Sequence, residues 1–343
     1  MCKYNFYDDY SEGAHPSILE ALARTNLIQA EGYGEDRFCT EAKQMIRTHL
    51  DNSDADIHFI SGGTQANLVV ISSVLKPYES VIAAVTGHIA VHEAGAIEAT
   101  GHKINTLETD TGKLTPDDIK PVIDMHCDEH MVSPRLVFIS NSTETGSIYN
   151  RNELEQLSEF CRNHDLLLYL DGARLGPAMA APCNDLSLPG LSELVDIFYI
   201  GGTKNGALLG EAIVINHEGL KKDFRFHLKQ KGALLAKSRV MGIQFMELFR
   251  NNLFFELGAH SDSMALKMAD AIEKSGYVFL TKPVSNQIFP VFPDKLIEKL
   301  SEKYGFHIWK KMDDNSSAVR LVTSWATTEK AVYEFICDLK RFA

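Results

Sequence analysis

Through the first two thirds of the chain, short apolar runs alternate with longer amphipathic stretches. The runs IHFI (Ile57 to Ile60), SVIAAV (Ser80 to Val85), RLVFIS (Arg135 to Ser140), LLYLDGA (Leu167 to Ala173) and DIFYI (Asp196 to Ile200) are short and almost unbroken by polar residues. Between them, Gln65 to Leu75, His88 to Ala99 and Asn152 to Asn163 repeat apolar residues at three- and four-residue spacing, which predicts helices. Uniformly apolar strands alternating with helices indicate βα units and a mostly parallel sheet covered on both faces. Ahead of this series lie a polar arm, a helix opening at Pro16, the loop EGYGED, and an amphipathic helix from Phe38 to Leu50. Proline suits a first helical turn because its φ is already fixed there.

The alternation stops near Gly219. Helical patterns follow over Lys237 to Asn251 and Phe254 to Ser275, then short strands such as RLVTSW and a final helix from Glu329 to Phe342. The expected organisation is an N-terminal arm (1–14), a large α/β domain (15–250) and a smaller C-terminal α+β domain (251–343). No internal repeat or low-complexity tract interrupts it.

Composition narrows the function classes. Of 343 residues, 34 are basic and 46 acidic, a formal net charge of −12. That balance argues against nucleic-acid or anionic-membrane surfaces. No apolar run approaches the roughly 20 residues of a membrane span, and the polar, acidic N-terminus does not read as a signal peptide. The six cysteines show no metal or redox spacing; reduced thiols and a cytoplasmic location are expected.

Three turns carry candidate chemistry. SGGTQAN (Ser61 to Asn67) sets glycines and a threonine where a strand hands over to a helix, so Gly63 and Thr64 could cup a phosphate, or the segment could be a plain capped turn. DGARLG (Asp171 to Gly176) puts a carboxylate at a strand's C-terminal end, where α/β sheets bind ligands, although aspartate is also a common helix cap. Arg174, close behind it, could fork onto a carboxylate. GGTKNGALLG (Gly201 to Gly210) presents Lys204, the one Lys or Arg between Arg174 and Lys221. Such an amine can be desolvated and made nucleophilic, or can simply be a surface lysine. Taken in order, a phosphate cup, a strand-end carboxylate and a lysine in a glycine turn point to pyridoxal 5'-phosphate held through Lys204 as a Schiff base. His88 and His92 are four residues apart, but HIAVHE is not HExxH and supplies no third ligand, so no metal is expected. His88 suits an imidazole over the cofactor ring. Glu144, in the loop SNSTETG, suits a general base, and Arg320, opening RLVTSW, a second carboxylate grip.

With these residues assembled, the chain resembles the fold-type-I pyridoxal phosphate enzymes, and within them the low-specificity threonine aldolase and β-eliminating lyase family. YGED near Gly34, FISGGTQANL, GHIAVHEAG, LDGARL, the Lys204 turn and VRLVTSW carry the likeness. It implies the aspartate aminotransferase fold. It also implies phosphate contacts from Gly63 and Thr64, His88 on the pyridine, Asp171 on its nitrogen, Lys204 as the covalent anchor, and Arg174 and Arg320 on a small amino acid's carboxylate. Ser11 would stand in for the serine of an RSDT-like strip, here YDDYSEG. The loop that reads NTHNG in relatives reads STETG, bringing Glu144 to the substrate hydroxyl; His92 replaces an aromatic and is an alternative base. The implied assembly is a homodimer or homotetramer in which Tyr33 and Lys229 to Arg239 reach a neighbouring active site. The implied reaction is retro-aldol cleavage of a β-hydroxy amino acid, with β-elimination, transamination and racemisation as alternatives on the same scaffold.

Overall fold

A computed structural model describes residues 4–342. Seven strands form the central sheet: β1 (Asp56–Ile60), β2 (Glu79–Ala84), β3 (Ile104–Leu107), β4 (Ser133–Ser140), β5 (Leu167–Asp171), β6 (Ile197–Gly201) and β7 (Glu211–Ile215). Their spatial order is β1-β7-β6-β5-β4-β2-β3. Five neighbouring strands, β6-β5-β4-β2-β3, run parallel. Only β7 runs against both of its neighbours, because it follows β6 through a hairpin loop rather than a crossover helix.

Burial on both faces explains the uniformly apolar strands. Alternate residues enter different cores: Ile82, Val137, Leu168, Phe198 and Val214 on one side, Val81, Leu136, Tyr169, Ile197 and Ile213 on the other. This is the period of two that a pleated strand imposes. Helices cover each face, and among the described residues none is long and apolar enough to cross a membrane.

The helix Leu253–Lys274 joins the two bodies of the molecule. Phe254 and Leu257 pack into the first core. Met264, Met268 and Ile272 pack into a third, with Phe292, Val319, Leu321 and Phe335. That third core lies under the small antiparallel sheet formed by β8 (Val291–Pro293), β9 (His307–Asp313) and β10 (Ser316–Val322). The N-terminal arm docks on this C-terminal body. Tyr4 and Asn5 pair in parallel with Tyr304 and Gly305, and Phe6 is buried in the third core.

One predicted helix is corrected. The stretch from His88 to Ala99 is helical only over His88–Val91. Ala94 and Gly95 then take positive φ values of 51° and 74°, and Glu93 turns inward to bond Asn67 and His88. A buried carboxylate with partners on another helix outweighs local helical periodicity.

Asp262, on the joining helix, is 2% exposed, and neither carboxyl oxygen makes a well-formed hydrogen bond. Burial pushes its carboxyl up to about 9, weakly opposed by the Asn286 N–H. A folded-state value above the unfolded one means that stability falls as pH rises between the two. Asp262→Asn is therefore expected to stabilise the protein by about 3 kcal/mol at pH 8. The gain should vanish below pH ~4, and urea midpoints across that range check it.

Candidate active site

The C-terminal ends of β4, β5 and β6 open onto a cavity of about 580 Å³ between the large sheet and β9–β10. Lys204 stands in its wall on the loop 202–210. Gly201 and Glu211 face each other across the hairpin, and the loop is laced internally. Asn205 and Ala207 N–H groups donate to the Gly202 carbonyl at 2.9 and 3.0 Å, and Gly202 N–H reaches the Gly210 carbonyl at 3.1 Å. Three glycines are required, Gly202, Gly206 and Gly210. Gly210 has φ 114°, and a Cβ at Gly202 would stand 2.6 Å from the Gly210 carbonyl oxygen.

Burial, and then the charge of Arg174, push the Lys204 amine below its ordinary value of 10.5, while Asp9, Asp171 and Glu211 pull the other way. Glu211 lines the same wall and accepts the Gly202 N–H at 2.8 Å. Burial raises its carboxyl to about 7 against the hydrogen bonds from Thr203 and Gly202.

Ser61 to Thr64 line the cavity where β1 gives way to the helix Gly63–Val74. Gly62 at the N-cap offers no side chain, so the first N–H groups of this twelve-residue helix stay available to an anion. An added Cβ at Gly62 would meet nothing within 4 Å, and one at Gly63 would stand 3.0 Å from the Tyr199 hydroxyl. Asp171 lies one layer behind the wall. Its Oδ1 accepts the Tyr199 hydroxyl at 2.5 Å and the Ala173 N–H at 3.0 Å; its Oδ2 accepts only Asn67, at 3.2 Å. Capacity for one further donor remains on Oδ2.

His88 and His92 line the opposite side, with ring centroids 5.5 Å apart. Burial and then the neighbouring His88 push the His92 imidazole below its ordinary value, so it is neutral at pH 7. Glu144 is also in the wall. Its Oε1 accepts the Ser140 hydroxyl at 2.7 Å and the His88 N–H at 3.0 Å, and burial raises its carboxyl above the ordinary range.

The two arginines are held differently. Arg174 forks onto Asp9: Nε donates to Asp9 Oδ2 at 2.7 Å and Nη2 to Asp9 Oδ1 at 3.0 Å, which leaves its Nη1 group outside the fork in the cavity wall. Arg320 is more open. Among the described residues it donates to the Tyr7 carbonyl, at 3.3 Å, lies over the Trp309 ring at 5.4 Å, and has a buried Nε with no partner. Both expected carboxylate grips thus line one cavity with donors to spare. Ser11 is placed elsewhere. Its hydroxyl donates to Asp8 on an exposed face of the arm, outside the cavity lining, and the arm reaches the site through Asp9 instead. Asp9, Asn67, Glu93, Tyr199, Glu211 and Trp309 carried no assignment from sequence. Asn67 and Glu93 lay inside quoted motifs, but only the fold shows that they meet.

The model of the β-eliminating lyase family matches residues 8–294 of this chain. The chain belongs to that family. Among curated members, the low-specificity L-threonine aldolase of a Pseudomonas species is 32% identical over 97% of this chain and 96% of its own length. The Pseudomonas aeruginosa counterpart is 31% identical over the same shares. A solved threonine aldolase from Leishmania major superposes with a TM-score of 0.98 at 47% identity, covering 99% of this chain and all of its own. Thermus thermophilus aspartate aminotransferase, at 14% identity and a TM-score of 0.74 over 100% of this chain and 92% of its own, shares the fold.

Asp9 is fully buried. Burial alone would raise its carboxyl, but Arg174, then Lys204, hold it below its ordinary value of 3.8. The stabilisation is complete above that value and is lost as pH falls through the folded one. Asp9→Asn leaves Arg174 buried without a counter-charge and is expected to cost 3–5 kcal/mol at pH 7, roughly the price of a broken buried pair. Denaturant titration of both proteins, repeated at pH 3 where the difference should shrink, checks this.

Proposed function

We propose that this family member is a pyridoxal 5'-phosphate-dependent aldehyde-lyase that cleaves small L-β-hydroxy amino acids, converting threonine and allo-threonine to glycine and acetaldehyde. One observation carries the reading. A desolvated lysine shares a single cavity with an arginine that keeps a buried, unpartnered Nε, and with a neutral imidazole. The first is what a carbonyl-trapping amine needs, the second what an amino acid's carboxylate needs, and the third what a hydroxyl proton needs. The names of the Pseudomonas and Leishmania relatives support the same activity.

The residues fit the cofactor. Gly63 and Thr64 would hold its phosphate through the open helix terminus. His88 would lie against the pyridine ring, the spare lone pair of Asp171 Oδ2 would accept the N–H of its ring nitrogen and keep that nitrogen protonated, and Lys204 would anchor it covalently. When bound, the group supplies an electron sink for the pair left at Cα after bond cleavage. Arg320 fixes the substrate carboxylate and so selects which Cα bond faces that sink; orientation of this kind contributes up to roughly 7–11 kcal/mol. Arg174, with Nη1 outside the Asp9 fork, would share that grip, and its charge lowers the Lys204 pKa. A ring nitrogen of His92 accepts the β-hydroxyl proton. Glu144, in the same wall with Oε1 already engaged and burial favouring its protonated form, would return a proton to Cα, so that glycine forms as the aldehyde leaves. Trp309, Ile308 and His307 wall the cavity from the small sheet and exclude water from the β-position.

β-Elimination is the second reading, favoured by the family model itself. We also assign the chain to the cytoplasm, consistent with the free thiols at Cys39, Cys127, Cys161, Cys183 and Cys337. A homodimer or homotetramer is inferred from Leu27 and Phe226, 93% and 75% exposed. Arg225, next to Phe226, donates to the Tyr33 carbonyl, and the Tyr33 ring lies 4.4 Å from Lys229 Nζ. Light scattering of the purified protein measures that mass.

Incubation with L-threonine, L-allo-threonine and L-serine tests the chemistry. Glycine with acetaldehyde from the first two supports the aldolase reading, whereas 2-oxo acid with ammonia replaces it by elimination. Lys204→Ala is expected to abolish turnover and the yellow colour of the loaded protein. Arg320→Ala should lower kcat/KM roughly ten- to hundred-fold, mostly through KM, as loss of a charged hydrogen bond does; wild-type kinetics would remove Arg320 from the site.

A further inference from the structure

Glu93 is a carboxylate in a place where carboxylates are costly. Its side chain is 0% exposed. Oε1 accepts from the His88 ring at 2.8 Å and from the Asn67 amide at 2.7 Å, while Oε2 is buried with no partner. Asn67 carries the connection onward. Its Nδ2 also reaches Asp171 Oδ2 at 3.2 Å, and its Oδ1 accepts the Tyr169 hydroxyl at 2.8 Å. The amide orientation follows from its partners, because two carboxylates need donors and a tyrosine hydroxyl can supply one. Asn67 is 0% exposed. An apolar residue would fill the Glu93 position without leaving an orphaned oxygen, so packing does not account for this side chain.

We propose that Glu93 is a positioning residue. Through Asn67 it locks the His88 imidazole and the Asp171 carboxylate into one hydrogen-bonded unit, so that the group on the pyridine face and the group on its nitrogen are set together. The inference rests on the pyridoxal phosphate reading of the site. The Glu93 carboxylate accepts from His88 Nδ1, which fixes that nitrogen as the donor and leaves Nε2 as the nitrogen outside the unit. The other groups facing this unit are few. Tyr169 faces Glu93, and His92 and the Glu144 carboxyl, through the His88 N–H, face His88. Tyr199, Lys204 and Glu211 face Asp171.

Two readouts test it, one without the cofactor. In apo protein labelled with ¹⁵N-histidine, the His88 signals, identified by their loss in His88→Asn, should show a proton fixed on Nδ1. That signature should be lost in Glu93→Gln and kept in Asn67→Ala, which removes the bonds of Asn67 to Glu93, Asp171 and Tyr169 but leaves the direct contact of Glu93 with His88. In loaded protein, both variants should weaken pyridoxal phosphate binding roughly ten- to hundred-fold, the cost of a lost charged hydrogen bond, and move the pH midpoint of its visible band. Wild-type ¹⁵N shifts, affinity and midpoint in Glu93→Gln would overturn the proposal. If Glu93→Gln does not fold, Glu93→Asp decides, since it keeps the charge but shortens its reach: a displaced midpoint supports the role and an unchanged one refutes it. Failure of wild-type protein to bind pyridoxal phosphate would overturn the underlying reading, a result distinguishable from an unaltered variant of a protein that does bind.

Discussion

The buried pair between Asp9 and Arg174 holds the site together. Its carboxylate receives both prongs of the guanidinium and the Asn286 amide at 2.9 Å. Asn286 in turn donates to the Thr323 carbonyl. One fully buried side chain thus ties the arm, the loop after β5 and the C-terminal body to a common point. A buried ion pair is justified energetically only when its geometry is saturated, and here the fork is bidentate with a further amide on the acceptor. The pair also orients Arg174, whose Nη1 group lies outside the fork, in the same cavity wall as Arg320.

The electrostatics of the cavity follow from that arrangement. Arg174 is close enough to depress both the Lys204 amine and Arg320, and Asp9 opposes it at each. Glu144 and Glu211 are buried without direct cationic partners, and burial raises both carboxyls. Asp171 and Glu93 instead share Asn67. Acidic side chains of the same type are thus set to different tasks by what donates to them.

Much of this was legible in the sequence because its signals are local. The doubly buried strands announce themselves as apolar runs. The anion cup, the strand-end Asp171 and the Lys204 hairpin are each a few residues long, and their order along a βα series places them on one sheet edge. What escaped depends on long-range meetings. Asp9 and Arg174 are 165 positions apart, and Asn67 and Asp171 are 104 apart, so no periodicity reports either contact. The arm's sequence YDDYSEG offered a serine and two aspartates, and only the docking of Phe6 decides which side chain turns inward. The helix expected beyond Val91 failed for the same reason, since a carboxylate drawn to Asn67 bends a segment whose own pattern is helical.

The pairing of Tyr4 and Asn5 with Tyr304 and Gly305 bears on how the molecule comes into being. A ribosome releases the arm well before the strand that receives it, which lies about 300 residues further along the chain. The large sheet can condense while translation continues, but Arg174 must wait for its counter-ion until the residues around position 304 have emerged to seat the arm. The sheet can therefore form early and the cavity late, so a chain still in synthesis carries the lysine hairpin without the charge balance of the folded protein.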